Sequence, residues 1–186
     1  MKKWLFNPFI YIAGAKALII GWAFMLVAAV IGYFSMTHFD GVIDVHIGHI
    51  SPMWTYITET AIDWALPAII FYIAGLIFSN SSIRAVDVAG TLALARWVMV
   101  FPALIGFGVH MPPAAPATID EVMKILTPSV IVFGLLTMLF SIWMIALMYN
   151  AYTTSCNLKG SKAILSFIGG LLVAEVLSKL IIGLIF

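Results

Sequence analysis

Five apolar stretches, each about 20 residues long or longer, dominate this sequence and restrict the structures it can form. A helix needs about 20 apolar residues to cross the roughly 30 Å hydrocarbon core of a bilayer, and in lipid its backbone amides must bond within the segment. Only 9% of the 186 residues are charged, against about a quarter in soluble domains. We therefore predict an all-α, polytopic membrane protein, a single domain over 1–186 with transmembrane helices at 17–36, 55–78, 87–109, 128–149 and 164–186.

Basic residues in the short connections predict the orientation of this five-helix bundle. Six of them fall on one side of the spans, against Lys124 alone on the other side. By the positive-inside rule the N-terminus is cytoplasmic, and after five spans the C-terminus lies at the outer face. Residues 1–16, which include Trp4 and Tyr11, are predicted to lie along the cytoplasmic interface. The six basic residues are Lys2, Lys3, Lys16, Arg84, Lys159 and Lys162.

Several function classes find no support in the sequence. The net charge of +1 gives no basic surface for nucleic acid, and the single cysteine cannot form an intrachain disulfide. There is no nucleophile with a positioned base, no phosphate-cradling glycine loop and no HExxH motif. We therefore predict that the protein is not an enzyme, and we look for its function inside or beside the bilayer.

Five ionisable residues are predicted to lie within the spans or at their edges, where each charge costs about 2.5 to 3.5 kcal/mol. We therefore expect them to face the bundle interior and to pair. Arg96 and Glu175 fall at a similar depth near the midplane, which predicts that they pair. Lys179 lies one turn beyond Glu175, and its predicted partner is Asp63, Glu59 or Glu175. This intramembrane polar core comprises Glu59, Asp63, Arg96, Glu175 and Lys179.

Two roles remain open for the polar core. Its pairs could hold the helices together and fix their register. Alternatively, they could relay protons or ions, or anchor a polar headgroup that enters from the side.

Prolines and glycines predict local features of the helices. Pro67 and Pro102 each remove a backbone hydrogen bond and are expected to kink the second and third spans. Ser51 and Thr127 each precede a proline, the pattern of a helix N-cap. Close helix contacts are predicted at Gly14, Gly21, Gly169 and Gly170.

The stretch THFDGVIDVHIGHI, at 37–50, places three of the four histidines in the first outer loop. Imidazole and carboxylate groups are ligands for zinc and other divalent metals, so one hypothesis is a divalent metal site. Asp40-Gly41 is a hairpin-turn signal, and Asp44 and His46 would share a face of an extended segment. The other hypothesis is a polar cap folded over the bundle, with these two side chains bonded to helix ends. The candidate metal ligands are His38, Asp44, His46 and His49.

The segment GTLALARWVMVFPALIGF, at 90–107, resembles a recurrent segment of the Yip (Ypt/Rab-interacting protein) domain family, with Arg96 and Pro102 at family positions. The last two spans are also similar, with Trp143 in a long apolar helix and a short basic loop before Lys162. The resemblance implies five spans and a cytoplasmic N-terminus. The eukaryotic members tied to vesicle traffic carry a longer N-terminal segment, which we do not expect in this protein. It is expected to be a compact bacterial-type member in the inner membrane.

The resulting expectation is a non-enzymatic integral membrane protein that organises the membrane or acts as an accessory or scaffold subunit. Its expected partners are membrane lipids and a second copy of itself or another membrane protein. One alternative is a small transporter or channel for an ion or lipid, using the polar core. Another is a metal-dependent membrane enzyme at the outer face. No cofactor is expected apart from the hypothetical divalent metal.

Overall fold

A computed structural model describes residues 2–48, 50–109 and 118–186, and helices account for most of this part of the chain. The helices are α1 (Lys2–Phe6), α2 (Gly14–Ser35), α3 (Met53–Phe78), α4 (Ala85–Ala95), α5 (Val100–Gly106), α6 (Ile119–Ile125), α7 (Pro128–Cys156) and α8 (Gly160–Ile185). Two short strands, β1 (Thr37–His38) and β2 (His46–Ile47), form an antiparallel hairpin.

Within the described residues, five helical units are long and apolar enough to span a membrane. They are α2, α3, the pair α4 and α5, α7 and α8, and their mean hydropathy lies between 1.8 and 2.5. The predicted all-α, multi-pass architecture is therefore confirmed. We call the end that carries Lys16, Arg84, Lys159 and Lys162 the basic end, and the opposite end, where β1 and β2 lie, the hairpin end.

Helix α7 continues past its predicted end at residue 149 to Cys156. Its last turns are polar, but the hydroxyl of Thr153 donates to the carbonyl of Tyr149, and that of Ser155 to the carbonyl of Ala151. These bonds keep the hydroxyls within the helix, so the helix outlasts its apolar stretch. At its other end the hydroxyl of Thr127 accepts from the Val130 amide at 3.4 Å, as predicted for an N-cap. The same prediction for Ser51 is wrong, because α3 begins at Met53 without a side-chain cap.

The third span is the most buried of the five and is not a continuous α-helix. A tighter 3-10 turn over Arg96–Met99 separates α4 from α5. Pro102 cannot donate to the carbonyl of Val98, and its ring collides with that carbonyl in a regular helix. The tight turn therefore falls one turn before the proline. Helix α3, in contrast, runs without interruption through Pro67.

Glycines allow the closest helix contacts in the bundle. A Cβ atom at Gly21 would overlap the backbone of α4 at Ala93, and one at Gly90 would overlap the carbonyl of Gly14. Helix α8 packs along α3, where a Cβ at Gly170 would lie 2.7 Å from the Phe71 ring. Close contacts were therefore correctly predicted at Gly14, Gly21 and Gly170.

Gly169 was predicted to make the same kind of contact, and that prediction is wrong. A Cβ atom at Gly169 would meet nothing within 4 Å, because this position turns away from α3.

Candidate functional site: a loop held inside the bundle

The loop between β1 and β2, residues 39–45, enters the bundle at the hairpin end, and we call it the inserted loop. Val42 at its centre is 0% exposed. The Val42 amide donates to the hydroxyl of Ser178 at 3.2 Å, and the Ile43 amide donates to the carboxylate of Glu175 at 2.9 Å. The Val42 carbonyl accepts from the guanidinium of Arg96 at 2.8 Å. Irregular backbone is tolerated at membrane depth only where it is buried in protein or lines water. Here the loop is surrounded by protein, and these bonds satisfy its main-chain groups.

Arg96 is buried at the start of the 3-10 turn and bonds to α3 as well as to the loop. Its guanidinium lies 3.1 Å from the carboxylate of Asp63 and 3.3 Å from the Asp63 carbonyl. Both side chains are almost completely excluded from solvent, at 3% and 0% exposure. The other carboxylate oxygen of Asp63, Oδ1, has no hydrogen-bond partner among the described residues. Arg96 and Asp63 therefore form a buried ion pair that also fixes the inserted loop.

The predicted pair between Arg96 and Glu175 is wrong. Depth along the spans suggested that pair, but α8 packs along α3, and α3 in turn packs along α4. An acid on α3, Asp63, is therefore nearer to Arg96. The carboxylate of Glu175 instead accepts from the Ile43 amide of the inserted loop.

Glu59, one turn before Asp63 on α3, attaches β1 to the same helix. One of its carboxylate oxygens lies 2.9 Å from Nδ1 of His38, and the other accepts from the Phe39 amide at 3.3 Å. The His38 ring is buried and stacks on Tyr56, with ring centroids 4.3 Å apart. Glu59 therefore binds both the side chain of His38 and the main chain of Phe39, and its carboxylate is buried.

Lys179 on α8 pairs mainly with a residue that the sequence did not suggest. Its ammonium group is hydrogen-bonded to the carboxylate of Asp44 and lies 3.9 Å from that of Glu175. Of its three predicted partners, only Glu175 is close. Asp44 was missed because a residue of a connecting loop was not expected beside an intramembrane lysine. The Lys179 side chain is 47% exposed, so this cluster lies at the edge of the bundle.

His46 pairs with Asp40 on the exposed side of the hairpin. Nδ1 of His46 lies 3.0 Å from the Asp40 carboxylate, and the His46 ring stacks on that of His38 at 5.4 Å. Burial raises the pKa of Asp40, but the hydrogen bond and charge of His46, together with Lys179, more than offset this. The pKa of Asp40 is therefore lowered below its ordinary value.

The candidate metal ligands are directed to different partners. His38 bonds to Glu59, Asp44 to Lys179 and His46 to Asp40. His49 lies outside the described residues. Among those residues, no group of three or more histidine, cysteine, aspartate or glutamate side chains is arranged to hold a metal ion. The metal site stays a prediction.

The polar network ends at Arg96 and Asp63. The cavity beside Arg96, which Met25, Phe39 and Thr60 help to line, has room for about one water molecule. Toward the basic end, the buried interior of the described bundle is mainly apolar and aromatic, with Phe71, Met148 and Tyr152 among its largest side chains. A continuous chain of polar side chains from one end to the other is therefore not seen in the part of the bundle that the structure describes.

Comparison with known proteins found no matching family model, no matching curated protein and no matching solved structure. The resemblance to the Yip domain family therefore stays a prediction.

Proposed function

We propose that this chain is a non-enzymatic, multi-pass membrane protein that organises the membrane around it or serves as a scaffold for other membrane proteins. The observation that carries the proposal is that charged residues in the spans bond to the protein's own main chain. Arg96, Glu175 and Glu59 all bond to the main chain of the hairpin segment. Their role is thus to keep the hairpin end folded.

Transport requires groups that can bind an ion and release it again. The Arg96 guanidinium is occupied by Asp63 and by the Val42 carbonyl, and the cavity beside it accommodates about one water molecule. Ions crossing this bundle would also have to pass the apolar interior toward the basic end. These features favour a static bundle over a conduit.

We further propose that the basic end faces the cytoplasm, in line with the positive-inside rule, and that the chain resides in a bacterial inner membrane. The resemblance to the Yip domain family supports the same placement. Membrane organisation is also an activity associated with that family, so the resemblance and the closed polar network favour the same function.

The proposal is tested on the full chain reconstituted into liposomes. We expect proton, potassium and labelled-lipid flux to equal that of protein-free liposomes under imposed gradients. We also expect the distribution of vesicle diameters, measured by cryo-electron microscopy, to shift as the protein-to-lipid ratio rises. Arg96→Leu, which frees the inserted loop, is expected to weaken this shift. Gly169→Ala, at a position without neighbours, serves as the matched control.

Two results would overturn the proposal. One is a flux that the wild-type protein supports and Glu175→Gln abolishes, since that would make the polar core a conduit. The other is a set of vesicle diameters that does not respond to the protein, combined with no capture of a membrane-protein partner by crosslinking in cells.

A further inference from the structure

Residues 4–11, which we call the aromatic segment, lie against the half of α7 that leads to the basic end, from Trp143 near the middle of the helix to Thr154 near its end. The indole of Trp143 donates to the Leu5 carbonyl at 2.9 Å, and the side-chain amide of Asn150 donates to the Phe6 carbonyl at 2.8 Å. The hydroxyl of Thr154 donates to the side-chain oxygen of Asn7 at 3.3 Å. The segment is therefore fixed to a membrane span largely through its main chain.

Anchoring through the main chain leaves most large side chains of this segment facing outward. Phe9 is buried in the core, but five others are 46% to 56% exposed. Trp4 and Tyr11 stack on each other, with ring centroids 4.8 Å apart. Tryptophan and tyrosine favour the headgroup level of a bilayer, where an apolar ring can keep a polar tip in water. The five exposed side chains are Trp4, Leu5, Phe6, Ile10 and Tyr11.

Positive charge accompanies these rings. Lys16, Lys159 and Lys162 are all exposed at the basic end, and in the described part of the chain none of the three forms a salt bridge. The acid that the structure describes at this end, Asp87, lies 3.5 Å from Arg84 and is thus already paired. The basic end therefore presents a net positive surface beside an exposed apolar one.

We propose that the aromatic segment and Lys16, Lys159 and Lys162 form one surface that binds anionic phospholipids of the adjoining leaflet. The exposed side chains of the segment contact the acyl chains, and the lysines bind the phosphates. A phospholipid carries both chemistries, an acyl chain and an anionic phosphate, whereas a free phosphate ion would leave the rings uncovered. The inference deepens the proposed function, and it rests on that function for the premise that the protein acts on its surrounding lipid.

Lipid binding to the purified full chain tests whether the three lysines bind the phosphate. We expect native mass spectrometry in neutral detergent to detect phosphatidylglycerol bound at least about tenfold more tightly than phosphatidylcholine of the same acyl chains. Each lysine changed to glutamine should weaken phosphatidylglycerol binding by about fivefold. The triple arginine variant at the same positions should bind like wild type, because it keeps the charge. Lys124→Gln removes a lysine from α6, away from the basic end, and should change nothing.

Fluorescence quenching tests the aromatic segment. Bound phosphatidylglycerol with brominated acyl chains should quench part of the emission from the six tryptophans, and Trp4→Phe should remove much of that quenched part. Trp54→Phe, an exposed tryptophan at the hairpin end, is the control and should leave the quenched part unchanged.

Equal binding of the two lipids by the wild-type protein would overturn the inference, as would a triple glutamine variant that binds phosphatidylglycerol like wild type. Competition by inorganic phosphate at equal concentration would also overturn it, since that would indicate an ion site. Failure of the proposed function looks different, because ion flux through liposomes would leave the lipid preference in place. Conversely, a lost lipid preference leaves the absence of flux unaffected.

Discussion

The guanidinium of Arg96 lies 2.8 Å from the carbonyl oxygen of Val42, a residue 54 positions away in a connecting loop. A buried cation normally finds an anion, and Arg96 has one in Asp63. The additional bond to a loop carbonyl shows that the ion pair does more than join two helices. It fixes the depth at which the inserted loop rests in the bundle.

The Arg96 and Asp63 pair gives a prediction about coupled stability. Arg96→Leu or Asp63→Leu alone should lower the free energy of unfolding by about 3 to 5 kcal/mol, because each leaves one buried charge without its partner. The double variant should recover most of that loss, apart from about 1 kcal/mol for the bond to the Val42 carbonyl. Unfolding in mixed micelles measures all three.

A control double variant replaces Glu175, the partner of Arg96 that depth along the spans had suggested. Arg96→Leu combined with Glu175→Leu should recover much less stability than the Asp63 double variant, because Arg96 and Glu175 bind neighbouring residues of the same loop but share no hydrogen bond. Recovery in this second pair instead of the first would contradict the assigned partners.

Close helix packing predicts opposite effects at two glycines. Gly21→Ala should destabilise the bundle by about 1 to 3 kcal/mol, because the new methyl group overlaps the backbone of α4. Gly169→Ala should be neutral or should stabilise by up to about 1 kcal/mol, since the position is open and alanine favours helix. Thermal unfolding in detergent measures both, and similar losses at the two sites would argue against the packing of α2 on α4.

The pair of Asp40 and His46 predicts that the stability of the fold depends on pH in the acid range. Because the pKa of Asp40 is lowered on folding, the unfolded chain binds more protons than the folded chain between the lowered pKa and the ordinary value of 3.8. The stability that ionised Asp40 contributes is therefore complete at pH values above its ordinary pKa, and it is lost as the pH falls through the lowered pKa. Asp40→Asn should lose less stability than wild type on acidification over this range.

Unfolding midpoints measured at successive pH values compare the two proteins. The difference between wild type and Asp40→Asn removes the titration of the other carboxylates, which both proteins share. A difference that stays constant from pH 6 down to the acid limit of folding would be inconsistent with the lowered pKa.

The spans were predictable because hydropathy over some 20 residues is a property of the local sequence. The same holds for the N-cap at Thr127 and for the tight contacts at Gly21 and Gly170. The partner of Arg96 was not predictable in this way, since it depends on α3, rather than α8, lying beside α4. Depth alone could not distinguish Asp63 from Glu175.

The inserted loop was harder still to foresee. Its two aspartates and the neighbouring histidines suggested a connection in water, although four of its seven residues are apolar. Asp44 and His46 suggested a cap or a metal site. No local pattern indicates that Val42 is buried or that the amides of Val42 and Ile43 find acceptors on α8. One signal was available, namely that Glu175 and Lys179 needed partners at a level where a loop could reach them.

The central claim is that the intramembrane charges hold the inserted loop inside the bundle. Hydrogen exchange of the Val42 and Ile43 amides, resolved by residue in lipid nanodiscs, tests it most directly. We predict that both amides exchange at least about 100-fold more slowly than in an unfolded chain. Glu175→Ala should accelerate Ile43, whereas Lys162→Gln, at the basic end and away from the loop, should not. Exchange of both amides at the unfolded rate in the wild-type protein would contradict the account.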